Sequence, residues 1–256
     1  MSVDAVIEAL LIARRTGQPS DAERLSSAVP TPDDAYLVQD ALANELDWFA
    51  DAPPTHWKSG GASRSAVMTH APLPPAGVWA SPADARTWPF RLRFIEAEIA
   101  LRLGQPVDAA LAATLDMASA SALVDAMCVS IEIVDSRWQQ GFKAPALLRL
   151  ADLQSHAALV LGEWVPYRAG QEARDWLTQT CRVQIGDSVT EHRGSHTCGD
   201  PAWVLPEWLR HATRDGAVLP AGSVVTTGTW CGALPAQAGD TVSVRFDGIG
   251  QAQVQL

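Results

Sequence analysis

The chain has 256 residues, 47% of them hydrophobic and 19% charged, the balance of an ordinary globular protein, which excludes extended disorder. Nineteen basic residues against 29 acidic ones leave a net charge of −10, which argues against nucleic acid and anionic membranes as partners. No apolar run reaches the roughly 18 residues of a membrane span, and Met1 to Arg15 carries acids where a signal peptide carries bases, so a cytoplasmic protein is expected.

Residues 4–15 place Val6, Ile7, Leu10 and Leu11 at helical spacing and end in Arg14, Arg15 and Gly17, predicting a first helix. A second opens at Thr31, an N-cap before Pro32, Asp33 and Asp34, and runs to about Trp48. From about residue 56 Gly and Pro become frequent and the segments shorten. The chain therefore divides into an N-terminal helical section, 1–55, and a β-rich domain, 56–256. Phe90 to Leu103 alternates as a strand, with Glu96 and Glu98 on one face and Ile95, Ala97, Ile99 and Leu101 on the other. Residues 107–128, rich in Ala, read as a helix, and Val129–Val134 as a short strand. Leu148–Leu161 fits either helix or strand. Trp203–Thr213 reads as a helix closing at Gly216, and the tail as strands at Ser223–Thr227, Thr241–Phe246 and Gln251–Leu256. This order predicts an α+β fold with a mixed or antiparallel core decorated by helices.

Four cysteines lie far apart with no CxxC pair, so reduced thiols are expected, Cys231 included. Ten tryptophans against two tyrosines are a surplus of large apolar surface, which points to a homo-oligomer.

Two glutamates two apart on a strand point the same way, and like charges on one face need a cation between them. Glu132 stands mid-strand among Ile131, Ile133 and Val134, where an acid must be paired or coordinated. Three carboxylates offer oxygen ligands that suit Mg²⁺ or Mn²⁺; zinc prefers His and Cys. Asp135 and Arg137 read as a structural ion pair at the strand end. Only two of the basic residues are lysines, Lys58 and Lys143. A lysine that survives in such a background is a candidate for proton or charge work that arginine cannot do. His192, His196 and Cys198 have the spacing of a zinc-site fragment, but Gly194 between them and the lack of a fourth ligand favour a loop.

The Glu96-x-Glu98 strand, the segment Glu132 to Arg137, and the stretch Ala221 to Thr229 followed by Ala238-Gly239-Asp240 resemble the fumarylacetoacetate hydrolase superfamily. The nearest branch is the 2-keto-4-pentenoate hydratase and 4-oxalocrotonate decarboxylase group. Ala35 to Gln39, Trp57-Lys58-Ser59-Gly60, Glu207-Trp208-Leu209 and Phe246 to Gly250 add to the likeness in order along the chain. The resemblance implies a β-rich roll around a mixed sheet with an N-terminal helical section, the β-rich part being catalytic. It implies Mg²⁺ or Mn²⁺ on Glu96, Glu98 and Glu132. It implies Lys58, Asp152 and Ser155 as catalytic residues, and Gly60, Ser63, Gly228 and Thr229 against a small 2-oxo acid. The implied activity is a metal-dependent lyase of hydratase or decarboxylase type, in which Lys58 helps stabilise a metal-chelated enolate. The alternatives are a C–C bond hydrolase of a 1,3-diketo acid, of fumarylpyruvate type, or an accessory subunit complexed with a related lyase.

The sequence departs from the branch at three places. Pro75 stands where an acid is usual two residues before a glycine, which leaves His56, His70 and His156 as candidates to replace it. Ala151 to Ser155 keeps Asp152 and Ser155 but not the usual Asn. Trp230 follows Gly228-Thr229, and with Trp79 and Trp138 it is expected to shape the pocket for the substrate's tail.

Overall fold

The computed structural model describes residues 2–50, 52–170 and 174–256. Helix α1 (Val3–Thr16) opens with Asp4, closes with Arg14 and Arg15, and ends on Gly17 at φ 71°, charges and cap that follow the helix dipole. Helix α2 (Pro32–Glu45) starts in a full capping box, the Thr31 hydroxyl accepting from the Asp34 N–H while the Asp34 carboxylate accepts from the Thr31 N–H. Both agree with the sequence expectation. Their inward residues Val6, Leu10, Val38 and Leu42 share a core with Trp138, Leu148 and Ala151. The helical section thus packs on a segment far along the chain, which includes a later helix.

Short helices α3 (Ala109–Ala112) and α4 (Met117–Ser121), each N-capped by an aspartate, occupy the stretch expected to be one helix over 107–128. That expectation is corrected at its C-terminal end. The chain becomes strand at Val124, because residues 124–128 gain a ladder of pairs with a neighbouring strand, and pairing overrides a weak local preference. Leu148–Leu161 divides between helix α5 (Ala146–Ala151), a tight turn, and a strand from His156. Helix α6 (Leu205–Ala212) lies inside the predicted span.

The strands are β1 (His56–Gly60), β2 (Thr69–Pro72), β3 (Val78–Ala80), β4 (Ala83–Asp84), β5 (Phe94–Leu103), β6 (Val124–Val134) and β7 (His156–Leu161). They continue as β8 (Val165–Pro166), β9 (Thr180–Ile185), β10 (Ser188–Arg193), β11 (Val224–Thr226), β12 (Leu234–Pro235), β13 (Thr241–Phe246) and β14 (Gly250–Gln255). A mixed sheet runs β2-β1-β11-β5-β6-β7-β3, with β12 also on β5 and β8 also on β6. A second sheet runs β10-β9-β13-β14-β4 and packs against β6 through β13 and β14.

The long pair β5–β6 sets the two faces. Ile95, Ala97, Ile99 and Leu101 stand opposite Ile133, Ile131, Val129 and Met127, and all are buried in one core with Val242, Val244, Ala252 and Val254 of the second sheet. Full burial of each such aliphatic chain contributes roughly 1.5–3 kcal/mol. The alternate residues Glu96, Glu98 and Ala100 stand opposite Glu132, Ser130 and Cys128 on the other face. Strand alternation therefore forces the glutamates to one side once the aliphatic side is buried.

Candidate active site

Register alone gathers the polar residues of that second face. Glu96 faces Glu132 directly across β5–β6. Thr226 of β11 pairs with Ala100 of β5, and Lys58 of β1 pairs with Thr226, so Lys58 and Thr226 share the glutamates' face. One carboxylate oxygen from each of Glu96, Glu98 and Glu132 lies within 4.8 Å of the others, the one cluster of this kind among the described residues.

The three carboxylates are held differently. Glu132 Oε1 accepts from Lys58 Nζ at 2.6 Å and from His156 Nδ1 at 2.9 Å, while Glu132 Oε2 is buried with no partner. Glu98 Oε2 accepts from the Thr226 hydroxyl and from the Gly228 N–H at 3.0 Å. Burial, then the Glu132 charge, push the Glu98 carboxyl up to about 8 and that of Glu96 up to about 7. Burial, the largest single influence, would also raise Glu132, but the Lys58 ammonium and the His156 hydrogen bond together outweigh it and leave this carboxyl below its usual value. Burial works against the charge on Lys58, yet Glu132, Glu96 and Glu98 together raise its pKa above the ordinary lysine value. Lys58 is therefore a cation here, a fixed charge and not a base. One lysine cannot balance three ionised carboxylates, so without a further cation Glu96 and Glu98 hold on to protons. An all-oxygen donor set with an orphaned buried oxygen fits a hard divalent cation.

Of the remaining predicted site residues, Gly228 and Gly60 lie beside the triad. Gly228 has φ 106°, a backbone state only glycine holds without strain, and it aims its N–H at Glu98. A Cβ on Gly60 would lie 3.8 Å from the Gly228 Cα, so the two backbones approach each other there. The Ser155 hydroxyl is buried without a partner, and the preceding Gln154 carbonyl accepts from Lys58 Nζ at 3.3 Å. Asp152 stands apart: its buried carboxylate takes Arg14 at 2.9 Å, the Arg137 side chain at 2.6 Å and the Arg137 N–H at 2.9 Å. Thr229 donates to the Gly232 carbonyl, and Ser63, in the β1–β2 loop, bonds the Ser65 hydroxyl.

Several secondary expectations are corrected. Arg137 pairs with Asp152 instead of Asp135, whose carboxylate caps the backbone N–H groups of Arg91, Leu92 and Ser136. Trp230 is buried in the main core against Phe246, Trp176 and His196, and Trp138 is buried in the helical core. Neither can shape a pocket for a substrate's tail. Trp79 is half-buried against Trp88. His196 bonds the Thr227 carbonyl and His192 bonds Thr190, so no zinc site forms. Burial raises the Cys231 thiol, an unreactive state. Among the three histidines considered for the missing acid, His70 bonds Ser59 on the opposite face of β1 from Lys58, and burial pulls it down to about 3. His56 bonds Thr55. His156 reaches the carboxylates. The sequence assigns Thr226 and Gln154 no role. Thr226 lies in the Ala221 to Thr229 stretch that carries the resemblance and in a β-branched strand, but neither shows what the strand pairs with.

The fumarylacetoacetate hydrolase C-terminal family model matches residues 62–256. The chain is 27% identical over 128 residues to 4-oxalocrotonate decarboxylase of Pseudomonas sp. (strain CF600), covering 50% of this chain and 47% of that one. It is 31% identical over 169 residues to 2-keto-4-pentenoate hydratase of Burkholderia vietnamiensis, covering 62% and 58%. The matches thus span about half the length of these relatives. 4-Oxalocrotonate decarboxylase from Pseudomonas putida G7, solved with magnesium and adipate, superposes with a TM-score of 0.80 at 20% identity, over 99% of this chain and 96% of that one. The family match runs through β5, β6 and the whole C-terminal sheet, and the full-length superposition agrees with it: the chain belongs to the fumarylacetoacetate hydrolase family.

Proposed function

We propose that this protein is a divalent-metal-dependent lyase acting on a small 2-oxo acid or its dienol, of the hydratase or decarboxylase type. The observation that carries this reading is the convergence of three carboxylates, Glu98 and Glu132 buried and Glu96 half-buried, beside one buried lysine, with Glu132 Oε2 left free. The names of the curated relatives support it, as do the calcium and magnesium complexes of the decarboxylase that shares the fold.

Glu96, Glu98 and Glu132 would hold Mg²⁺ or Mn²⁺. When bound, the cation supplies Lewis-acid polarisation of the substrate's 2-oxo group. Lys58, held between Glu132 and the Gln154 carbonyl, supplies a fixed positive charge for the acid end of the substrate and for charge that develops beside it. Thr226 and Gly228 orient Glu98 through its Oε2. The unpartnered Ser155 hydroxyl is a donor for the substrate. Asp152 acts behind the site by holding Arg137.

The test is turnover of 4-oxalocrotonate and of 2-hydroxypenta-2,4-dienoate by the chain purified alone, before and after exhaustive chelation. Loss on chelation and recovery with Mg²⁺ or Mn²⁺ are expected. Equal rates in both states would overturn metal dependence, and turnover by the lone chain would reject the accessory-subunit reading.

A further inference from the structure

Leu153, Gln154 and Ser155 have φ of 52°, 54° and 62°, three consecutive non-glycine residues in the left-handed region. Such a run is costly and persists only where its surroundings hold it. Here the Ser155 N–H donates to the Asp152 carbonyl and the Asp135 N–H to the Ser155 carbonyl, both at 2.9 Å. Arg137 Nη2 bridges the carbonyls of Asp152 and His156 at 3.2 and 2.8 Å. The turn delivers His156 into the start of β7 where the β6–β7 register shifts between Ile133 and Val134. That places the ring on the carboxylate face, with Nδ1 2.9 Å from Glu132 Oε1.

A carboxylate only accepts, so Nδ1 carries a proton, while Nε2 is buried without a partner. We propose that His156 is a positioning residue. Its Nδ1–H and the Lys58 ammonium together occupy Glu132 Oε1, so that Oε2 is the oxygen presented to the cation. The inference rests on the metal reading above. The ring is held in place by the turn and by β7, so its Nδ1–H is a directed donor at a fixed point, 2.9 Å from Oε1. Without His156, Lys58 alone fixes neither the rotation of the carboxylate nor the choice of oxygen.

The test is Mn²⁺ affinity, read from the spectroscopic signal of free Mn²⁺ in titrations of the full chain, with metal-free melting as the check on folding. Asparagine places a donor at the same bond count as Nδ1; glutamine places it one atom further out; leucine removes it. His156→Leu and His156→Gln are expected to weaken Mn²⁺ binding by roughly 10–100-fold, and His156→Asn to stay within about threefold of the parent. Equal affinity in all variants would overturn the proposal, as would an equal loss in Asn and Gln variants that still melt cooperatively. If the leucine variant fails to fold, the Asn–Gln contrast decides. A parent that binds no Mn²⁺ would overturn the metal reading itself, whereas a parent that binds with indifferent variants overturns only the role of His156.

Discussion

Two groups of buried charge lie close together along the chain, and they are balanced in opposite ways. Around Asp152, one carboxylate meets two guanidiniums and a backbone N–H, and both of its oxygens are bonded. Around Glu132, three carboxylates meet one ammonium; the buried Glu132 Oε2 has no partner and two of the carboxyls are pushed up to about 7 and 8. Buried charge is tolerated when paired and hydrogen-bonded and is costly otherwise. In the first group both carboxylate oxygens are bonded, and it serves as a clamp between α1, the end of β6 and the turn before β7. The second is incomplete as a protein structure, and its deficit has the sign, size and ligand chemistry of a divalent cation.

Three experiments break or sharpen that contrast. The largest effect belongs to Lys58, the cation bonded to the triad. Lys58→Met keeps the apolar stem and removes the charge, so turnover should fall roughly 10²–10⁴-fold while the fold persists. Lys58→Arg should not restore it, since a planar, bulkier fork does not reproduce the point charge that Nζ places between Glu132 and the Gln154 carbonyl. Near-parental turnover in Lys58→Met would remove Lys58 from the site.

Next, carboxylates neutralised in the two groups should act with different sign in chelator. Asp152→Asn strands two arginines and should cost about 3–5 kcal/mol in urea unfolding. Glu98→Gln relieves crowding and should be neutral or stabilising. Mg²⁺ at about a hundred times its dissociation constant should then add about 2.7 kcal/mol to the parent and almost nothing to Glu98→Gln. Comparable losses for the two substitutions in chelator would mean the triad is not short of positive charge.

The smallest effect is a slope with pH. Metal-free, Glu96 and Glu98 titrate at about 7 and about 8 in the fold, against an ordinary value of 4.5. The folded state therefore keeps protons that the unfolded chain has lost. The histidines His70, His196 and His211, held low by burial, make stability rise with pH up to about 6.5, so the fall due to the glutamates should show above that, between about 6.5 and 8, and saturating Mg²⁺ should abolish it. Melting in chelator that does not decline across this window would contradict the crowding of the triad.

Much of the fold and of the site was legible in residue order. Period-two alternation put Ile95, Ala97, Ile99 and Leu101 on one face and Glu96 and Glu98 on the other, and the flanking apolar residues marked Glu132 as buried. The Thr31 capping box and the dipole-matched ends of α1 are local, so sequence alone placed those helices. Propensity misjudged residues 124–128, where the ladder with β5 decides, and composition could not tell that Trp138 and Trp230 fill cores.

What the sequence determined by itself is what depends on neighbours a few residues away: helix ends, strand faces, the pair Glu96 and Glu98, and the scarcity of lysine. Only the tertiary structure decided which strands meet. It set Glu132 opposite Glu96, brought Lys58 to the same face through β11, and tied Asp152 to Arg14 across 138 residues of chain. It also placed His156 on Glu132 through a left-handed turn and a shift in register, neither of which has a local sequence signal. The physical reason is that burial of the apolar faces fixes sheet register, and register then dictates which charges must share a dry space.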